Sequence, residues 1–276
     1  MLCYSTGSLP DAFSFSDIAG ILGPSPFRGV ELVVTAVMLE RAGDGAYWNG
    51  IRDGFREKGL AFRNVHLGAP HLLGPEPHRP GLSSVMPAAR ARKVRAAEAC
   101  MEIAAALDCP HLTVTSGLSE GPALRALQEK TFRSALGELA AMLPDGVDIL
   151  IEQEPEHAIN SADQLSALGA EFPGKVFANF DVGHSHVMGE DIGACIRKLG
   201  PLLRNIHLED IRGRVHAHKL FGDGDVDFES VFGALRDIGY RGDFTPDLYP
   251  FKDDPAAAME ASARFLRRHE ALTPAL

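Results

Sequence analysis

Short runs of β-branched and other apolar residues alternate along this chain with longer segments whose apolar positions recur every three or four residues. The first kind predicts strands at 2–6, 29–34, 61–67, 111–116, 148–152, 176–181, 205–208 and 243–248. The second kind predicts helices at 15–22, 47–58, 88–107, 124–142, 162–168, 192–199, 229–238 and 255–269. Runs such as Val147-Asp148-Ile149-Leu150-Ile151 are almost continuously apolar, as in strands covered on both faces of a parallel sheet. Ser161 stands three residues before Gln164, the spacing of a capping box, and Gly59, Gly239 and the Gly81-Leu82-Ser83 stretch mark stops or loops. No GxGxxG follows the first strand, so the doubly wound dinucleotide-binding sheet loses its main signal. Eight strand–helix units without it predict one closed (β/α)₈ barrel filling residues 1–276 as a single domain.

Composition narrows the partners. Hydrophobic residues make up 45% of the 276 and charged residues 23%, which supports a large core. There are 27 basic and 37 acidic residues, a formal net charge of −10, whereas a protein that grips phosphates carries a basic footprint. Nucleic acid is therefore an unfavoured partner. Cys3, Cys100, Cys109 and Cys195 are scattered without CxxC spacing and read as reduced, packed thiols. No apolar stretch reaches membrane-spanning length and no basic-then-apolar leader opens the chain, so the expectation is a cytoplasmic protein.

In a barrel of this kind, polar residues at the last positions of apolar strands face the site. Strand five ends Ile151-Glu152-Gln153-Glu154-Pro155, strand six Phe180-Asp181-Val182-Gly183-His184, strand seven Ile206-His207-Leu208-Glu209-Asp210 and strand eight Thr245-Pro246-Asp247-Leu248-Tyr249. Glu152, Asp181, His207 and Asp247 are expected to converge there. Three carboxylates with one imidazole suit Mn²⁺ first, then Mg²⁺ or Co²⁺, while Zn²⁺ generally takes more nitrogen or sulfur. Taken singly, Glu152 reads as well as a salt-bridged strand end and His207 as a hydrogen-bonded core histidine; four such residues on successive strands favour a common site. Two long connections, 68–85 and 210–227, follow odd-numbered strands on the same face and read as binding loops.

Together, Ile151-Glu152-x-x-Pro155, Asp181-x-Gly183-His184, Ile206-His207-Leu208-x-Asp210 and Gly222-Asp223-Gly224-x-Val226-Asp227-Phe228 resemble the xylose-isomerase-like barrel superfamily. That group holds sugar epimerases and isomerases, inosose dehydratases, hydroxypyruvate isomerases and metal-dependent apurinic-site endonucleases. The resemblance is dense from about Val147 to Tyr249 and rests on strand rhythm before that. It implies a metal set of Glu152, Asp181, His207 and Asp247, and a substrate-contacting or further metal-binding histidine at His184. It implies a small carbohydrate or polyol substrate and, in some relatives, pairing of subunits into homo-oligomers. Asp247 departs from the pattern, since the family usually carries Glu on strand eight, and the preceding Pro246 is unusual inside a strand.

Other residues keep two readings. Glu31 and His66 end the second and third strands and either contact substrate or serve as internal hydrogen-bond partners. His186 follows His184 in alternation. Arg214, His216 and His218 either bind a substrate oxyanion or sit in a solvated loop, although an HxH pair can also hold metal. Gly222–Phe228 is read as a turn with Asp227 capping the next helix, because it lacks the spacing of a calcium loop. Glu154 reads as a carboxylate behind the metal set, and Trp48 as core.

The resemblance implies proton abstraction beside a carbonyl, through a metal-stabilised enediolate, with Glu152 and Asp247 exchanging protons on opposite substrate faces. Retaining the skeleton gives an isomerase or epimerase; expelling a β-hydroxyl gives a dehydratase of a keto-cyclitol or keto-acid. An abasic-site endonuclease would need extra histidines and a basic surface. A barrel that binds sugar without turnover is the remaining alternative.

Overall fold

The computed structural model describes residues 1–269. Strands β1 (Cys3–Ser5), β2 (Gly29–Val33), β3 (Ala61–Leu67), β4 (His111–Thr115), β5 (Asp148–Glu152), β6 (Val176–Asp181), β7 (Leu203–Leu208) and β8 (Asp243–Pro246) form one parallel sheet in sequential order. Helices α1 (Phe15–Leu22), α2 (Ala36–Glu40), α3 (Gly45–Glu57), α4 (Pro87–Ala106), α5 (Arg125–Met142), α6 (Ala162–Glu171), α7 (Val182–Met188), α8 (Ile192–Leu199), α9 (Phe228–Asp237) and α10 (Pro255–Arg268) lie between and after them. A bridge between Leu2 and Phe244 brings the first and last strands together, giving the (β/α)₈ barrel. Among the described residues no helix is long and apolar enough to cross a membrane.

The alternation of side chains along each strand divides two cores. Val30, Leu32, Val65, Leu112, Val114, Ile149, Ile151, Phe180, Ile206 and Phe244 are fully buried in the apolar cluster that also takes in the helices. Burial of each such side chain contributes roughly 1.5–3 kcal/mol. The intervening positions on five strands are polar instead. Glu31 Oε2 accepts from Asn64 Nδ2 at 2.7 Å and Asn205 Nδ2 at 3.4 Å, Thr113 bonds Asn64 at 2.9 Å, and Thr245 bonds Asn205 at 3.0 Å. All five are at most 3% exposed. A buried polar set of this kind is tolerable only when its members satisfy one another. It forms a hydrogen-bonded floor beneath the C-terminal mouth.

Two register shifts, between Val30 and Glu31 in β2 and between Ala178 and Asn179 in β6, fall just before residues of that mouth. Such irregularities re-aim the side chains that follow. Strand eight is shorter than the pattern predicts, ending at Pro246 with Asp247 just beyond it. The Asp247 N–H donates to Leu208 O on β7, and the Phe244 N–H donates to Met1 O on the other side. Alternation therefore points the Pro246 nitrogen toward β1, where no β7 ladder bond is lost.

Candidate active site

Glu152 ends β5 with its side chain 2% exposed, and His207 lies on β7 at 2%. His207 Nδ1 stands 2.9 Å from Glu152 Oε1 and 3.7 Å from Asp181 Oδ2. Its other nitrogen meets Glu31 Oε2 at 2.7 Å, and Asn179 Nδ2 lies 3.2 Å away. Burial by itself would strip charge from these groups. The pairing wins: Glu31 and Glu152 hold His207 well above the ordinary histidine range, and His207 with His66 holds Glu152 well below the carboxylate range. Glu31 is likewise lowered despite its burial, by His207 above all. The structure thus puts Glu31 underneath His207 as its orienting partner, 1% exposed, and not on the substrate side.

His66, from the end of β3, bonds Glu152 Oε2 through Nε2 at 2.6 Å. Two imidazoles therefore grip the two oxygens of one carboxylate. Gly68 lets the chain turn past His66, since a β-carbon there would lie 2.2 Å from the ring.

Asp181 ends β6 and at the same time caps α7, its Oδ1 accepting from the His184 N–H at 2.9 Å. The strand runs directly into a helix, so His184 and His186 stand on helical turns, not in the strand alternation the sequence suggests. The His184 Nδ1–H donates to Gln153 O at 2.7 Å, a carbonyl that can only accept, so Nε2 carries the lone pair. Burial pushes this imidazole down to about 4. Its Nε2 faces Glu154 at 3.6 Å and Asp181 at 3.9 Å. His186 instead turns outward to Asp225 at 2.9 Å, joining α7 to the 209–227 connection.

On the far side, the His218 Nδ1 is paired with Glu209 and lies 3.5 Å from Asp247 Oδ2. Burial opposes the charge, but Asp247 and Glu209 carry His218 up to about 10. Its Nε2 lies 3.1 Å from His216 Nε2, which burial and the neighbouring histidines keep neutral, down to about 4. Glu209 escaped the sequence reading. It is fully buried, with Gly183 leaving room for its carboxyl. Its two-residue offset from His207 was the available signal, since period two puts both on one face of the strand. Arg214 does not join this group: it is exposed and donates to His186 O at 2.8 Å and Val187 O at 3.3 Å, near the C-terminal end of α7. Of the two readings of Arg214, these contacts fit the solvated loop.

The Gly222–Phe228 segment is a turn organised by Asp210, whose carboxylate accepts from Gly222 N at 2.8 Å, Gly224 N at 2.9 Å and Val226 N at 3.2 Å. Asp227 caps α9 through the Ser230 N–H.

Some of these side chains border a cavity of about 470 Å³ at the C-terminal mouth of the barrel. Its polar wall includes His66, Glu152, Glu154, His184, His218 and Asp247, and its apolar wall includes Val33 at the end of β2 with Phe13, Ile18 and Met38 from the segments after β1 and β2. Several observations fit a divalent cation. Asp181 Oδ2 is buried without a hydrogen-bond partner among the described residues, and His207 Nδ1, although 2.9 Å from Glu152 Oε1, is not aligned to donate to it. Asp181, His207 and Asp247 offer ligand atoms within 4.8 Å of one another, and so do Glu152, Asp181 and His184, with Asp181 common to both sets. Burial, aggravated by neighbouring negative charge, also raises Asp181, Glu154 and Glu209, a crowding that a cation would relieve.

The profile described as xylose isomerase-like TIM barrel matches residues 25–269. Inosose dehydratase of Geobacillus thermodenitrificans is 31% identical over 141 residues, 45% of this chain and 46% of that protein. Fructoselysine 3-epimerase of Escherichia coli O157:H7 is 28% identical over 126 residues, 44% and 46% of the two chains. The matched region is thus about half the length of these curated relatives. Among solved structures, D-psicose 3-epimerase in the presence of D-fructose superposes with a TM-score of 0.78 at 18% identity, covering 98% of both chains. The IolI protein with a zinc atom gives 0.81 at 14% identity over 97% of both. At these identities the superpositions establish the fold.

Proposed function

The chain belongs to the xylose isomerase-like TIM barrel family, and from that premise we propose a divalent-metal-dependent isomerase or epimerase acting on a small keto-sugar or cyclitol. The observation that carries the proposal is one contact: the imidazole of His207 and the carboxylate of Glu152 meet at 2.9 Å, with Asp181 3.7 Å from the same nitrogen, and Glu152 lines a 470 Å³ cavity. Glu152, Asp181, His207 and Asp247 would hold the cation, Mn²⁺ first on account of the oxygen-rich set. When bound, it would withdraw charge from the substrate carbonyl and make the neighbouring C–H more acidic.

The chain's own groups divide the remaining work. Glu152 stays ionised in the pairing with His66 and His207, as a proton acceptor requires. Asp247, just beyond β8, offers an oxygen within 4.8 Å of Asp181 and is the partner that would return a proton to the opposite face. His184, with its lone pair turned to the cavity side, and His216 are neutral acceptors for substrate hydroxyls. The apolar wall excludes water from the carbon being deprotonated. No arginine lines the cavity among the described residues, and Lys252 is taken by Asp11 at 2.9 Å, which favours an unphosphorylated substrate.

The test is solvent-deuterium incorporation into a panel of keto-hexoses and keto-cyclitols with added Mn²⁺. Exchange at the carbon beside the carbonyl, abolished by Glu152→Gln, is the expected result; no exchange across the panel overturns the proposal. Identity with inosose dehydratase supports a second reading, in which the same abstraction leads to loss of a β-hydroxyl. Mass spectrometry of the products separates the two, since only dehydration removes water.

A further inference from the structure

A further group of ligating side chains, sharing no residue with the sets at Asp181 or with His184, Glu209, His216 and His218, lies between the β3–α4 connection and the segment after β5. His78, Glu154 and His157 each offer a nitrogen or oxygen, and these atoms lie within 4.8 Å of one another. His157 is 3% exposed, and its Nδ1 has no hydrogen-bond partner among the described residues. The rings of His78 and His157 meet edge to face, 5.2 Å between centroids. Glu154 Oε2 is 3.6 Å from His184, beyond a good hydrogen bond, so its carboxyl is not consumed by that neighbour.

The backbone around the three residues is fixed from both sides. The His78 N–H donates to Pro70 O at 2.6 Å, and its φ of 54° puts a residue with a β-carbon in left-handed space. Glu156, beside His157, is left-handed too at 58°. Glu156 O accepts from the Ser119 N–H at 2.8 Å, and Ala158 N donates to Gly117 O at 3.1 Å. The Ser83 N–H reaches Ser116 O at 2.9 Å, and Gly81 packs so tightly on Gly117 that a β-carbon would come 2.6 Å from its Cα. Three connections are thereby clamped into one wall. Non-glycine residues held in this region usually mark a position that the surroundings over-determine.

Burial keeps both imidazoles uncharged, His157 down to about 3 and His78 also lowered, with their lone pairs available. We propose that His78, Glu154 and His157 form a second divalent-cation site, of the two-histidine, one-carboxylate type that suits Zn²⁺. In tetrahedral zinc sites of this composition a fourth position stays open. Here His78 and Glu154 line the main cavity, so that position faces the substrate space. The site does not depend on the function proposed above.

The test counts metal. Full-length protein is stripped with a chelator, loaded with Zn²⁺, desalted and analysed by elemental mass spectrometry, with melting curves as the check on folding. The proposal expects His157→Ala and His78→Ala each to hold one equivalent fewer than the unaltered protein. His78→Ala alters only a loop residue and serves if the buried His157 variant fails to fold. Retention of the full complement by both variants overturns the proposal, as does a single equivalent lost only in His207→Ala. A single equivalent lost in His78→Ala but kept in His207→Ala upholds this site and sinks the metal reading at Glu152. The two hypotheses therefore fail separately.

Discussion

Glu31 on β2 and His207 on β7 reach across the barrel interior to within 2.7 Å, one oxygen of the acid meeting the Nε2 of the imidazole. That bond fixes which nitrogen of His207 faces the mouth, the usual task of a carboxylate behind a metal-bound histidine. Glu31→Gln keeps the shape and removes the charge. We expect metal affinity to fall about 10- to 100-fold. Isothermal titration with Mn²⁺ checks this; unchanged affinity would mean that the pair serves folding alone.

Glu152→Gln and His207→Ala should each empty the proposed catalytic metal position while leaving the barrel folded. The mouth is built from strand ends, while the apolar contacts that stabilise the barrel lie between strands and helices. Elemental analysis together with far-ultraviolet circular dichroism reads both halves of the expectation. A variant that keeps its metal would remove that residue from the ligand set.

Asp210, 2% exposed, holds the 209–227 connection by accepting from three of its amides and from the Ile211 N–H at 3.0 Å. Asp210→Ala strands those donors, at a cost of about 1–3 kcal/mol for the worst-placed of them. Limited proteolysis should then cut between 211 and 226 in the variant and spare the parent. Equal cutting would show that the loop is held by other contacts.

His111 at the start of β4 is 6% exposed, and burial pushes it down to about 4 from 6.5. Above pH 6.5 the ring is neutral in both folded and unfolded chains and has no effect on stability. Between 6.5 and about 4 the unfolded chain takes up a proton that the folded one refuses, so stability falls as the pH falls. Below that range both forms are protonated and the loss stops growing. The full difference is on the order of 3 kcal/mol, at 1.36 kcal/mol per unit. Urea melts of the parent and His111→Asn at pH 7.5 and 5 should show a smaller drop in the variant. Parallel curves would count against the buried neutral ring.

The strand rhythm made the barrel legible because each apolar run carries period-two information that survives without any knowledge of neighbours. Strands β3, β5 and β6 and helices α1 and α8 have the bounds that the pattern predicts. Helix α7 was invisible for a physical reason. Val182-Gly183-His184-Ser185-His186-Val187-Met188 is two turns long, mixes a glycine with histidines and has no apolar stripe, so its helicity comes from the Asp181 cap and its packing. The five-residue α2 carries even less signal. At the mouth, strand-end positions announced Glu152, Asp181 and His207, because such positions follow from strand register. Where Arg214 points is decided by an irregular loop, which periodicity does not encode. The same holds for His78 and His157, which reach each other only through the docking of three connections.

Seven of the eight junctions around the barrel are paired ladders, whereas β8 meets β1 through the Leu2–Phe244 bridge and the Phe244 N–H to Met1 O. Pro246 has no proton to offer on that side. The cylinder is consequently a stave barrel whose last joint is short, closed below by Met1 N–H to Gly242 O at 3.0 Å and above by Leu248 N–H to Ser8 Oγ at 3.0 Å. Glu152, Asp181 and His207 are set in tight wood. Asp247 is the third acid of the group and sits past its strand's last residue, 21% exposed, moored by its own N–H to Leu208 O at 3.0 Å.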